Sequence, residues 1–175
     1  MANPIDIVIA KARGFEKSME AHRDGLVGVF QTLAKQHGEA AALIERVRND
    51  GSKREALWPM IRVALISHER AELDAVYPVL EVIPGLRAYV ERHAIEANDL
   101  ENRILQLEGS LFAGETWLSQ LDALGDAVGA HAAEEEHEIF RAALAAIGEV
   151  HAKQLDDRFK TAHKKIRTSL ERTMH

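Results

Sequence analysis

With 175 residues, a net charge of −6 and 46% apolar residues of which few are aromatic, the chain has the composition of one helical domain large enough to bury its own core. The absence of cysteine excludes disulfides, thiolate metal ligands and iron–sulfur clusters. No apolar run is long enough to span a bilayer, the first ten residues lack the basic start and long apolar core of a secretory signal, and the negative charge argues against a nucleic-acid partner, so a cytoplasmic protein is expected.

Residues 1–18 read as an N-terminal arm. A first helix is predicted from Met19 to Arg48 on the stripe Leu26, Phe30, Leu33, His37, Ala40, Ile44 and Val47, ended by Asn49-Asp50-Gly51-Ser52. A second runs from Lys53 to Leu80, with Leu57, Ile61, Leu65, His68, Glu72 and Val76 in its stripe, and closes at Pro78 and Pro84-Gly85. The third spans Leu86 to Glu108 and carries Val90, His93, Ala97, Leu100, Ile104 and Leu107. After a loop from Gly109 to Gly114, the fourth runs from Glu115 to Ile147 on Trp117, Leu121, Leu124, Val128, His131, Glu135 and Ile139. A more polar fifth helix covers Glu149 to Arg172. Its basic residues (Lys153, Arg158, Lys160, Lys164, Lys165, Arg167) are interrupted by acids and read as a solvated face. Short loops between long amphipathic helices give antiparallel neighbours. The expected fold is all-α: an up-down-up-down four-helix bundle over residues 19–147, with the arm before it and the added helix, residues 148–175, after it.

The stripes are informative because polar residues interrupt them. His68-x-x-x-Glu72 and His131-x-x-x-Glu135 have the same form, and each is followed by a β-branched residue and an aromatic at the same offset, Val76-Tyr77 and Ile139-Phe140. A four-residue step turns about 40° past one revolution and climbs about 6 Å, so each motif stacks an imidazole and a carboxylate on one face. His37 and His93 lie in the other two stripes at similar heights. Burying one unpaired polar group costs several kcal/mol. Six of them on four facing stripes would each need a separate partner, whereas a metal is a cation that all can share. Imidazole with carboxylate suits iron, zinc, manganese or copper. Four histidines and two glutamates divide into two ions, each with two imidazoles and both spanned by Glu72 and Glu135. Room remains for a bridging oxide or hydroxide and for O₂.

From Asp24 to Ala143 the chain resembles the hemerythrin-like proteins of the HHE cation-binding group. The resemblance rests on Lys35-Gln36-His37, on His68-x-x-x-Glu72 followed by Tyr77-Pro78-Val79-Leu80, and on His131-x-x-x-Glu135-Glu136 followed by Ile139-Phe140. It implies a four-helix bundle around a non-haem di-iron centre (Fe2+/Fe3+) with O₂ or small oxidants as ligands. It also implies a role in reversible O₂ binding, in sensing oxygen, iron or redox state, in iron storage, or in handling peroxide or nitric oxide. The third helix departs from the pattern. Hemerythrins proper carry His-x-x-x-His there, and many HHE proteins keep a histidine where this chain has Ala97. Hemerythrins proper also use an acid five residues after the last histidine, which is Glu136 here, although the stripe phase favours Glu135.

The expected metal ligands are therefore His37, His68, Glu72, His93, His131 and Glu135. His22, His151, His163 and His175 fall outside the layer and read as surface residues, and His137 points away. Glu134-x-x-His137 has the Glu-x-x-His form of ferritin-like sites but lacks a second copy. Tyr89 is expected to pack in the core or donate to a ligand, and Trp117 to pack at the bundle end. No nucleophile–base pattern, phosphate-cradling loop or dinucleotide fingerprint is present. Two functions share this signature: a di-iron carrier or sensor, and a di-iron enzyme of peroxidase or catalase type that uses the place left open by Ala97. A third, an interaction module without metal chemistry, lacks a feature of its own. The sequence leaves the oligomeric state open.

Overall fold

A computed structural model of the protein describes residues 3–108 and 114–173. Helix α1 covers Pro4–Arg23, α2 Val29–Asn49 and α3 Arg54–Ala71, the last entered through a 3-10 turn at Gly51–Lys53. A π-helical turn, Glu72–Val76, joins α3 to the short α4, Tyr77–Leu80. Helix α5 covers Arg87–Glu108 and α6 Gly114–Glu134. A second π-turn, Glu135–Ile139, leads into α7, Phe140–Arg172, which kinks at Gly148 (φ 77°, ψ 162°). The described residues include no strand. Most of the loop expected at Gly109–Gly114, and His175, lie outside the described residues.

The N-terminal region differs from the expected arm. Asn3 caps α1 by accepting the Ile5 N–H at 3.0 Å, and Pro4 fits the first turn, where its missing N–H is not needed. The helix expected to begin at Met19 is broken instead between Arg23 and Val29. Gly25 and Gly28 both have positive φ there, and Asp24 closes α1 by donating its N–H to the Glu20 carbonyl. Asp6, buried on α1, receives Arg46 at 2.7 Å and Lys53 at 2.6 Å, which ties α1 to the far end of α2.

Gly28 (φ 61°, ψ −131°) sets where α2 begins. A Cβ there would lie 2.4 Å from both the carbonyl carbon and the carbonyl oxygen of Ala152 on α7. Gly28→Ala combines a disfavoured backbone conformation with a backbone clash, and we expect it to cost ~3 kcal/mol of unfolding free energy. Urea denaturation of the metal-free protein measures this. A loss under about 1 kcal/mol would show that the α2–α7 approach is soft.

Two apolar clusters make the core. One contains Leu33, Ala71, Val76, Val90, Ile139 and Phe140, and the other Ala40, Leu65, Ile61, Leu100, Leu121 and Val128. Each stripe passes from one to the other across its polar residues. On α2 the order is Leu33, His37, Ala40, and on α3 it is Leu65, His68, Ala71. On α5 it is Val90, His93, Leu100, and from α6 through the second π-turn it is Val128, His131, Glu135, Ile139. The histidines and glutamates therefore form a buried layer between two hydrophobic halves. Trp117, against the Trp58 ring at a centroid distance of 6.0 Å, packs in the second half, with its Nε1–H donating to the Leu107 carbonyl. Among the described residues, no helix is long and apolar enough to cross a membrane.

Candidate metal centre

The repeated motif folds the same way twice. Glu72 and Glu135 each open a π-turn, in which the carbonyl of the glutamate accepts the N–H of the aromatic five residues on, Tyr77 or Phe140. π-Turns inside helices are rare and concentrate at functional sites. Each of these rotates its aromatic over an imidazole. Tyr77 stacks on His93 with centroids 3.9 Å apart, and Phe140 stacks on His37 at 6.1 Å.

All six residues expected as ligands reach the layer. His37, His68, His93, Glu72 and Glu135 are buried, and His131 is slightly exposed. One ligand atom from each of His37, His68 and Glu135 lies within 4.8 Å of the others. A second group, equally close, takes Glu72, His93 and His131 together with Glu69, which the stripe reading omits. An ion that holds its ligands at ~2.1 Å keeps any two of them within about 4.2 Å, so both groups match a metal after small adjustments.

Three imidazoles are held alike. His37 Nδ1 donates to Glu136 at 2.9 Å, and His68 Nδ1 to the side-chain carbonyl of Gln36 at 2.9 Å. His93 Nδ1 donates to the Tyr77 hydroxyl at 3.1 Å, and that hydroxyl donates onward to Glu135. An outward partner on Nδ1 fixes ring orientation and tautomer and leaves the Nε2 lone pair for a cation. Those Nε2 atoms point inward: His37 and His68 face each other at 3.2 Å, and His93 Nε2 lies 3.4 Å from Glu69. Two lone pairs at 3.2 Å need a proton or a metal between them. Glu135 Oε2 sits 3.2 Å from His37 Nε2 and 3.4 Å from His131 Nε2. The two carboxylate oxygens of Glu72, His93 Nε2 and both His131 nitrogens are buried without a hydrogen-bond partner. Native interiors rarely leave such atoms unpaired, and a bound cation is one of the accepted reasons.

Charge in the layer is unevenly placed. Burial lowers the pKa of His37, but the carboxylates of Glu135 and Glu136 outweigh it and raise it to about 9. Burial and the charge of His37 push His68 well below the usual imidazole range, and burial takes His93 down to about 4. Burial and Glu135 raise Glu69 to about 8 and Glu72 well above the carboxylate range. Glu135 goes the other way. Burial would raise it, but His131 and His37 hold it below the usual carboxylate range. The layer thus takes up protons where a metal would otherwise supply positive charge.

Several neighbours were not legible in the stripes. Glu69 is four-per-cent exposed and lies one residue from His68, about 100° around α3 from it. Its three-residue spacing to Glu72 is the one signal that could have found it. Tyr77 acts through its hydroxyl as well as its ring. Tyr89 also donates to Glu135, at 3.0 Å. Glu136 holds the outer nitrogen of His37 while Lys17 from α1 pairs with it at 3.0 Å. His163 is half-buried rather than on the surface: burial lowers its pKa, its Nε2 lies 3.1 Å from the Ser67 hydroxyl, and its ring stacks on Phe159. His22, His137 and His151 are exposed.

A cavity of about 300 Å³ opens on this layer from outside, lined by Glu69, Glu96, Ala97, Leu100, Val128 and His131 among others. Ala97 places only a methyl group there.

A family model, the hemerythrin HHE cation binding domain, matches residues 28–143. No curated protein and no solved structure is significantly similar to the chain. The match takes in every residue of the polar layer and leaves out α1 and most of α7. The protein belongs to the hemerythrin family of HHE cation-binding domains.

Proposed function

We propose that the protein is a cytoplasmic, non-haem di-iron protein that binds or senses O₂ or redox state, its ions held by His37, His68, Glu72, His93, His131 and Glu135. The reading includes an up-down-up-down bundle, which the alternating passage of α2, α3, α5 and α6 between the two apolar clusters supports. The observation that carries the proposal is the shared tautomer of His37, His68 and His93, each anchored through Nδ1 with Nε2 turned toward buried carboxylates. When bound, iron supplies reversible one-electron chemistry and a place for a small oxidant. The chain's residues supply the rest. Glu72 and Glu135 offset the charge of the ions, Tyr77 and Tyr89 hold Glu135 in place, and the two apolar clusters exclude water.

Anaerobic iron loading followed by elemental analysis is expected to give about two ions per chain, with an absorption change on exposure to air. Persistent binding of less than one ion would defeat the reading. A second reading, a peroxide-degrading enzyme, is favoured by the cavity beside Ala97, which gives a small oxidant a route to the layer. Two molecules of hydrogen peroxide would yield one of O₂ and two of water, with no outside reductant. O₂ release from the iron-loaded protein on adding peroxide separates this reading from the first.

A further inference from the structure

We infer that Glu69 is a metal ligand, completing the position beside His93 and His131 and making the two metal positions unlike. The inference rests on the di-metal reading above.

Helix α5 brings one imidazole to the layer, His93, and its next turn brings only Ala97. Helix α3 compensates. Besides His68 and Glu72 it carries Glu69, which leaves the helix toward α5 and α6 rather than toward α2. Its Oε2 lies 3.4 Å from His93 Nε2 and its Oε1 3.9 Å from His131 Nε2. These two imidazole contacts are its ion-pair contacts among the described residues, so no lysine or arginine accounts for its burial. Buried carboxylates are ordinarily paired with a cation or bound to one. Glu69 also borders the cavity at Ala97, so its carboxylate stands where a longer α5 side chain would have reached.

The two groups then differ in donor type. Around His37 and His68 there is one carboxylate, Glu135. Around His93 and His131 there are two, Glu69 and Glu72. Oxygen-rich sets favour harder ions, and imidazole-rich sets favour softer ones. Two inequivalent positions should fill in order and give distinct spectra. A purely structural Glu69, hydrogen-bonded and neutral, would leave metal content unchanged when replaced by an amide.

The test is Glu69→Gln in the full chain, loaded anaerobically with ⁵⁷Fe(II) and read by elemental analysis and Mössbauer spectroscopy. The parent is expected to show two unequal iron signals. In E69Q one signal should be lost and the iron content should fall by about half. Adding Ala97→His to E69Q should restore the second ion by returning a donor from α5. E69Q removes a buried charge and is expected to fold. If it does not, Glu69→Asp, which keeps the charge but withdraws it by one methylene, should weaken one of the two ions at least tenfold by titration. Two ions and unchanged Mössbauer signals in E69Q, or unchanged affinities in E69D, would overturn the inference and leave the di-metal reading intact. A parent that binds less than one ion would overturn both.

Discussion

Glu72→Met is expected to strip the protein of most of its metal while making the metal-free form more stable. Glu72 is fully buried, and neither carboxylate oxygen has a hydrogen-bond partner. His68 Nε2 lies 3.3 Å from Oε2, but out of line for a hydrogen bond. Burial, and then the charge of Glu135, keep the group protonated at neutral pH in the metal-free layer. Leaving such a group unpaired costs ~1–3 kcal/mol. Methionine has similar length, no polar atom, and a flexible chain that fills the gap. The metal-free variant should therefore gain ~1–2 kcal/mol, which for a chain of this size raises Tm by roughly 2–6 °C. Metal content should fall to less than half, because a carboxylate shared between two positions is lost. Tyr89→Phe makes the contrasting case. It removes one of two hydroxyls that donate to Glu135 and should leave metal content near that of the parent. Calorimetry of the metal-free proteins, with elemental analysis of the loaded ones, measures both effects. A Glu72→Met protein that is less stable without metal, yet holds metal as the parent does, would make Glu72 a structural residue.

The part of the layer legible in the sequence is the part that obeys α-helical phase. His37, His68, Glu72, His93, His131 and Glu135 interrupt apolar stripes, and a periodicity reading detects that interruption. The residues that escaped are those where phase is broken or where the contact comes from the side. Each π-turn inserts one residue, so Tyr77 and Phe140 swing onto imidazoles that a regular helix would not let them reach. The sequence did record this as the matched aromatic after each motif, without showing what it does. Glu69 sits beside a stripe residue and is drawn inward because Ala97 leaves space opposite. Glu136 was set against Glu135 as an alternative, whereas both serve one imidazole, Glu135 on its inner nitrogen and Glu136 on its outer one. Helix α1 was missed for a different reason. Its exposed apolar residues, Ile5, Val8 and Phe15, and its small buried face, Ala10, Gly14 and Ala21, give no stripe of large residues, so only the Asn3-Pro4 start marks it.

Raising the pH from 6.5 to 9 is expected to weaken the metal-free protein while tightening its hold on metal. His37 has a folded pKa of about 9 against an ordinary 6.5, and Glu69 about 8 against 4.5. A group whose folded pKa is raised binds its proton more tightly in the native state. Its contribution to stability is complete below the ordinary value and is lost as the pH rises through the raised one. Glu69 loses its contribution from about pH 4.5 to 8, and His37 from about 6.5 to 9, so the two overlap above 6.5. His93, at about 4 against 6.5, is already neutral in both states over most of this window and adds little slope there. Metal binding runs the opposite way, because a ligand must give up its proton before it can coordinate. Each proton displaced steepens affinity by about tenfold per pH unit. Cobalt(II) is a suitable probe, since its absorption reports its own coordination. Thermal melts with and without cobalt between pH 6.5 and 8.5 should diverge, with the metal-free midpoint falling and the metal-induced increment growing. His37→Gln should flatten the fall in the metal-free midpoint, because it removes the group with the highest pKa in the layer. Parallel melting curves across the range, or a metal-free protein that becomes more stable toward pH 8.5, would mean that protons do not occupy the layer in place of metal.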